Sequence, residues 1–356
     1  MRELLRENIA TLRPYSCARN DFTGEAEVYL DANENWQDFV GREDANRYPD
    51  PMAVHVRKAL EDVLGLPFDH TVIGNGSDEL IDNLFRCFCR PQKDTVLLMP
   101  PTYGAYRVFA DINDVRVENV PLTPDFQIDM PAITSYLAEE KGRRTQESRL
   151  KMLFICSPNN PSGNAFPLDE VRTICSLFDG IVVVDEAYFD FSTQESAVSL
   201  LDEFENLVVL RTLSKCWALA SARVGVAIAS KEIIAVIRNM KYPYNVGGPS
   251  QAIALKALEQ ADQVQKGLAM IKKERERLSV ELAKLSCVVQ VFKSDANFFL
   301  VRMTDAAGIY HYLLGKGIIV RNRSKEMHCE NCLRITIGSE HENDVLLAAL
   351  KEYDHA

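Results

Sequence analysis

Two neighbouring stretches, IVVVDEAYFDF at 181–191 and LVVLRTLSK at 207–215, decide how this chain folds. Each opens on a short apolar run without polar alternation, which is how a strand covered on both faces reads. Each run then stops at residues able to do chemistry, Asp185 and Tyr188 after the first, Thr212, Ser214 and Lys215 after the second. Similar runs stand at 95–99 (TVLLM), 152–156 (MLFIC) and 224–229 (VGVAIA). Helix-period segments lie between them at 78–90, 103–111, 167–178 and 231–241. In the first of these, Leu80, Ile81, Leu84, Phe85 and Phe88 make one apolar stripe. Alternating strands and helices predict an α/β fold, a mostly parallel sheet covered by helices on both faces.

The texture changes after Tyr242-Pro243-Tyr244. Residues 251–286 read as one long amphipathic helical stretch. Short strands follow at 288–292, 298–301, 318–320 and 333–337, with helices near 306–314 and at the C-terminus. That order predicts a small α+β domain. The expected division is an N-terminal arm at 1–28 packing with the small domain, a large domain at 29–245 and a small C-terminal domain at 246–356. The polar tract 139–149 (EEKGRRTQESR) reads as a solvated helix end and loop.

A chain of 356 residues buries enough surface to need neither disulfides nor a structural metal. Its 40 Lys and Arg against 51 Asp and Glu give a net charge of −11, which argues against nucleic acid as a partner. A small anionic ligand needs only a few placed cations and stays open. No apolar stretch approaches the roughly 20 residues that span a bilayer. The first fifteen residues carry charges throughout, so no signal peptide is expected. Nine scattered cysteines read as reduced thiols in a cytoplasm. The cluster His328-Cys329-x-x-Cys332 lacks the further ligands zinc would require, and no metal is expected.

Ligands of open α/β sheets sit beyond the carboxyl ends of the strands, so the residues that follow each run are the informative ones. Gly74-Asn75-Gly76-Ser77-Asp78-Glu79 opens a helix. It is either an anion site built from first-turn N–H groups or a plain turn with Ser77 as N-cap. Ser157-Pro158-Asn159-Asn160-Pro161-Ser162-Gly163 is a stiffened turn that presents Asn160. Asp185, directly after a buried strand, is costly unless it meets a cation or a strong donor, or caps the next helix. Lys215 can lose its proton by desolvation and nearby positive charge and so attack a carbonyl. Otherwise it is an exposed lysine with a buried stem. Arg223 stands eight residues further on.

Taken in this order, the pieces resemble the fold type I aminotransferases that use pyridoxal phosphate, across almost the whole chain. Asn46-Arg47-Tyr48-Pro49-Asp50, Pro101-Thr102-Tyr103, the turn at 157–163, Asp185-Glu186-Ala187-Tyr188 and Leu333-Arg334-Ile335-Thr336-Ile337-Gly338 are similar to the histidinol-phosphate aminotransferase family. The resemblance implies pyridoxal 5′-phosphate as cofactor, carried by Lys215. Asp185 would pair with its ring nitrogen, Asn160 and Tyr188 would donate to its ring oxygen, and Tyr103 would stack on its face. Gly76, Ser77, Asp78, Thr212, Ser214 and Arg223 would hold its phosphate. Tyr48 would reach the phosphate of a neighbouring subunit in a homodimer with shared sites. For the substrate it implies Arg334, with Tyr15 and Asn33 closing over it. Arg321 is the expected second cation, with Arg323 as competitor and pairing to Glu326 or Glu330 as the alternative fate.

The implied reaction is transamination between L-histidinol phosphate and 2-oxoglutarate in the cytoplasm. Threonine-phosphate decarboxylation and aromatic amino-acid transamination are the rival chemistries on this fold. A cofactor-binding regulator of DNA is disfavoured by the acidic charge. Departures from the family wording are Ser162 for a threonine, Trp36 for a proline, and Cys216-Trp217 after the lysine.

Overall fold

The computed structural model describes residues 2–13, 15, 17, 27–41, 45–143 and 149–354. Its larger sheet is built from the runs noted above. The strands are β1 (Thr71–Asn75), β2 (Thr95–Leu98), β3 (Arg116–Asn119), β4 (Leu150–Cys156), β5 (Ile181–Asp185), β6 (Leu207–Thr212) and β7 (Val224–Ala229), in spatial order β1-β7-β6-β5-β4-β2-β3. The five strands from β3 across to β6 are parallel. β7 runs antiparallel to both its neighbours, so β1 points the same way as β6. Successive side chains alternate between two cores. Ile155, Val182, Val184 and Val209 join one, while Phe154, Val183, Val208 and Leu210 join the other. Continuous apolar runs are therefore the pattern this sheet requires, because both faces are covered.

The smaller sheet is antiparallel, with β8 (Val288–Val291), β9 (Phe298–Met303), β10 (Arg321–Asn322) and β11 (Cys332–Thr336) in the order β10-β11-β9-β8. Leu278, Leu282, Ile309, Leu313, Leu346 and Leu350 from three helices close its core.

Several elements differ from expectation. The stretch 251–286 is broken into Gly248–Leu258 and Ala261–Leu282, with Glu259 and Gln260 between them. Residues 318–320 are not a strand; pairing is confined to Arg321 and Asn322 beside them. Helices Val54–Leu64 and Met130–Arg143 and the edge strand β3 are additions. Of the polar tract, 144–148 lies outside the described residues. The start of the arm, expected against the small domain, docks on the large sheet's layer instead. Leu4 is buried in that core, its carbonyl accepts from the Lys151 ammonium at 2.8 Å, and Arg6 N–H donates to the Cys87 carbonyl at 3.0 Å. Burying Leu4 and satisfying a buried lysine favour that placement. Residues 18–26 of the arm lie outside the described ones.

Candidate active site

The carboxyl ends of β1, β2, β4, β5 and β6 share one edge of the sheet, and β7, being antiparallel, starts there. Residues that end or follow five strands and one that precedes a sixth thus meet. Ser77, Asp78, Tyr103, Cys156, Asp185, Tyr188, Thr212, Ser214, Lys215 and Arg223 line one cavity of about 460 Å³, counting its open mouth.

One end is built for an anion. Gly76, at φ +74°, begins the helix Gly76–Phe88, and a side chain there would collide with the Arg223 guanidinium. Its own N–H donates to the Arg223 carbonyl at 2.8 Å. The N–H groups of Ser77 and Asp78, in the first turn, have no acceptor within the helix. Around them, Arg223 donates to Ser214 Oγ at 3.3 Å and pairs with Asp78 at 3.4 Å. Thr212 Oγ1 accepts the Ser214 N–H at 3.0 Å. Ser77 is not the N-cap; that place falls to Asn75, whose N–H is taken by the Glu79 carboxylate. Glu79 in turn accepts from Asn245 at 2.8 Å.

The other end holds a buried carboxylate. Asp185 Oδ2 accepts from the Tyr106 hydroxyl at 2.7 Å and Oδ1 from the Ala187 N–H at 3.1 Å. Desolvation pushes its pKa up to about 6, against the pull of these two donors. Tyr103 donates to Asp78 at 3.2 Å and meets Tyr106 edge to face at 5.4 Å. Lys215 stands at the mouth, its Nζ 5.4 Å from the centre of the Tyr188 ring. The surrounding protein and then Arg334 pull the Lys215 pKa down, with Arg223 adding to them and Asp185 and Asp78 opposing.

The small domain reaches in through β11. Arg334 donates to Asn160 Oδ1 at 2.6 Å, which leaves the Asn160 amide N–H₂ towards the Tyr188 hydroxyl, 3.4 Å away. Burial foremost, then Arg323, lowers the Arg334 pKa. Arg321 is exposed and stands opposite Arg334 in the β10–β11 register. Glu326, its alternative partner, instead pairs with Arg323 at 2.8 Å. Tyr15 and Asn33 are exposed. Tyr48 is half exposed and stacked on Tyr244 at 4.4 Å, with its N–H on Glu34. None of these three is among the residues lining the cavity of this single chain. Cys329 and Cys332 are buried in a turn closed by Cys332 N–H on the Cys329 carbonyl, and burial pushes the Cys329 thiol up to about 12.

Sequence reasoning missed Tyr106, which stands three residues after Tyr103 in the first turn of the helix Ala105–Ile112; a tyrosine on an otherwise apolar face was the available signal. It also missed Asn75, Glu79 and Asn245, which brace the anion turn from behind.

The chain matches the family described as "Aminotransferase class I and II" over residues 18–350. It belongs to that family. Among relatives of this aminotransferase, the histidinol-phosphate aminotransferase of Bacteroides thetaiotaomicron is 45% identical over 99% of both chains. That of Cytophaga hutchinsonii is 45% identical over 98% of both. The crystal structure of the histidinol-phosphate aminotransferase from Clostridium acetobutylicum superimposes with a TM-score of 0.78, at 27% identity, covering 87% of this chain and 91% of that one. The Sinorhizobium meliloti enzyme, solved in complex with pyridoxal-5′-phosphate, shares the fold at TM-score 0.78 and 23% identity, over 88% of this aminotransferase and 84% of that chain.

Proposed function

We propose that this aminotransferase moves the amino group between L-histidinol phosphate and 2-oxoglutarate, giving imidazole-acetol phosphate and L-glutamate, a step of histidine biosynthesis. The observation that carries this reading is the 45% identity, over essentially the full length, to histidinol-phosphate aminotransferases. The donor set fits pyridoxal 5′-phosphate as cofactor: an anion cup at one end, a buried carboxylate at the other and a depressed lysine at the mouth.

Bound there, pyridoxal phosphate supplies an electron sink that makes the C–H bond beside an amine breakable. The chain supplies the rest. Gly76, by lacking a side chain, lets the Ser77 and Asp78 N–H groups and the Thr212, Ser214 and Arg223 side chains gather on the phosphate. Asp185, as a carboxylate, would keep a proton on the ring nitrogen, and Tyr103 would stack on the ring. Asn160 and Tyr188 would donate to the ring oxygen, the amide being turned that way because Arg334 occupies its Oδ1. Lys215 would hold the cofactor and would serve as the base that moves the proton at the substrate carbon; its lowered pKa suits both tasks.

Arg334 and Arg321, cross-strand neighbours, take the anionic end of either substrate. That Arg323 is tied to Glu326 favours Arg321 as the second cation. Tyr15 and Asn33 close over the substrate. The working form is a homodimer in which Tyr48 serves the neighbouring subunit's phosphate, with 29–245 as cofactor domain and 246–356 as the small domain. The nine free cysteines favour the cytoplasm. The experiment is a visible-absorbance titration of the cofactor-loaded protein. Histidinol phosphate should bleach the band and 2-oxoglutarate restore it. A band untouched by histidinol phosphate but bleached by threonine phosphate or an aromatic amino acid would overturn the substrate.

A further inference from the structure

The Tyr106 ring is packed as a core side chain: fully buried, stacked on Phe154 at 4.7 Å and set edge to face with Tyr103 at 5.4 Å. A phenylalanine would fill that place equally well. A buried hydroxyl costs free energy unless it is hydrogen-bonded, so its presence needs a partner. That partner is Asp185, whose Oδ2 accepts from it at 2.7 Å. With the Ala187 N–H on Oδ1 at 3.1 Å, the carboxylate is gripped at both oxygens and its plane is set before any ligand arrives.

We propose that Tyr106 is a positioning residue for this site. Its hydroxyl holds Asp185 oriented and ionised, and through Asp185 it keeps the ring nitrogen of bound pyridoxal phosphate protonated. The proposal rests on the cofactor reading above and adds a residue to it.

The surroundings explain why the hydroxyl is needed. Asp185 is almost fully buried at the end of β5. From the adjoining helix Gly76–Phe88, Asp78 opposes its ionisation, and from the loop after β6, Lys215 at the mouth favours it. The Cys156 thiol on β4 and the Tyr103 and Tyr188 hydroxyls face the same carboxylate as groups whose own ionisation it discourages. Arg223 is already engaged with Asp78. Beyond the Ala187 N–H, the Tyr106 hydroxyl is the neutral donor that stabilises the charged form whether or not the cofactor is present.

The test is the pH dependence of cofactor affinity, titrated with pyridoxal phosphate on wild-type and Tyr106→Phe apoprotein between pH 5.5 and 9. Titration of the cofactor's own groups is common to both proteins, so the difference between them reads the tyrosine. Tyr106→Phe should move the acid limb of the affinity profile up by about one pH unit and weaken binding about tenfold near pH 6, the two curves meeting above pH 8. An equal loss at every pH, or none at all, would overturn the proposal and leave the tyrosine a packing residue. In an Asp185→Asn background, adding Tyr106→Phe should change affinity less than about twofold at any pH; a tenfold effect there would equally overturn it. If wild-type protein takes up no pyridoxal phosphate at any pH, the cofactor reading falls and this proposal with it.

Discussion

At the scale of single residues, the site is a set of conflicts that the bare chain endures and a ligand would relieve. Asp185 is the sharpest. Its pKa stands near 6 in the folded protein against an ordinary 3.8. Between those values the folded chain keeps a proton that the unfolded chain has released. Stability of the cofactor-free protein should therefore fall as pH rises through that window. Asp185→Asn is expected to stabilise the apoprotein at neutral pH by up to about 3 kcal/mol and by little near pH 4, while weakening cofactor binding. Urea unfolding at the two pH values checks it; equal stabilisation at both would mean the carboxylate is not the strained group. Lys215→Ala should leave a folded protein with no visible cofactor band and no turnover, since no other amine takes its place at the mouth of the cavity. Normal steady-state turnover by that variant would remove the lysine from the chemistry. Asp185 was legible because a charge directly after a β-branched run is rare and costly, and Lys215 because it stands among the polar residues that follow the next such run. Tyr106 was not, because an aromatic on a helix face normally signals packing alone, and only the distance to Asp185 reveals its second task.

At the scale of elements, the buried strands were readable and the edges were not. β7 is apolar along its length, and β4 and β5 are so apart from Lys151 and the terminal Asp185, because both faces are covered. β3, at the sheet's edge and largely exposed, reads Arg-Val-Glu-Asn and carries no such pattern. The break at Glu259 and Gln260 has no glycine or proline to announce it, so two helices read as one. The direction of β7 was equally hidden, since nothing in VGVAIA tells parallel from antiparallel, yet it is what brings Arg223 to the cup. The same strand supplies Gly225, where an added Cβ would run into the backbone of Gly76 and Ser77. Gly225→Ala should cost about 1–3 kcal/mol of stability by overpacking. It should also weaken pyridoxal phosphate at least about tenfold, because the strand and the anion turn cannot both keep their places. Gly267, inside the helix Ala261–Leu282 with open space around it, is the control. Gly267→Ala should stabilise by up to about 1 kcal/mol and leave cofactor affinity unchanged. Thermal melts and cofactor titrations of the pair decide whether close backbone approach at Gly225 shapes the cup.

At the scale of the whole molecule, a single chain leaves part of its chemistry facing outward. Tyr48 is half exposed, and Leu30, Trp36, Phe39 and Val40, in the same stretch of chain, expose most of their apolar surface. Its described residues are tied by hydrogen bonds. Glu34 accepts from Arg47 and from the Tyr48 N–H at 2.8 and 2.7 Å. The Lys241 ammonium donates to the Pro51 carbonyl and to Asn245, 2.8 Å each, and burial lowers its pKa. Asn245 continues to Glu79 behind the anion turn, so one polar chain links the exposed segment to the cup. An apolar, outward-facing stretch that carries a tyrosine is what a symmetric partner with shared sites would bury. Complementation tests that arrangement directly. Lys215→Ala and Tyr48→Ala should each be nearly inactive alone, the first for want of the lysine and the second for want of the neighbour's hydroxyl. After co-refolding in equal amounts, half the dimers would be mixed, and each mixed dimer would hold one site with both residues intact. Activity should then recover to about a quarter of wild type. If Tyr48 serves its own chain's site, every intact lysine stays beside a missing tyrosine, and mixing recovers nothing.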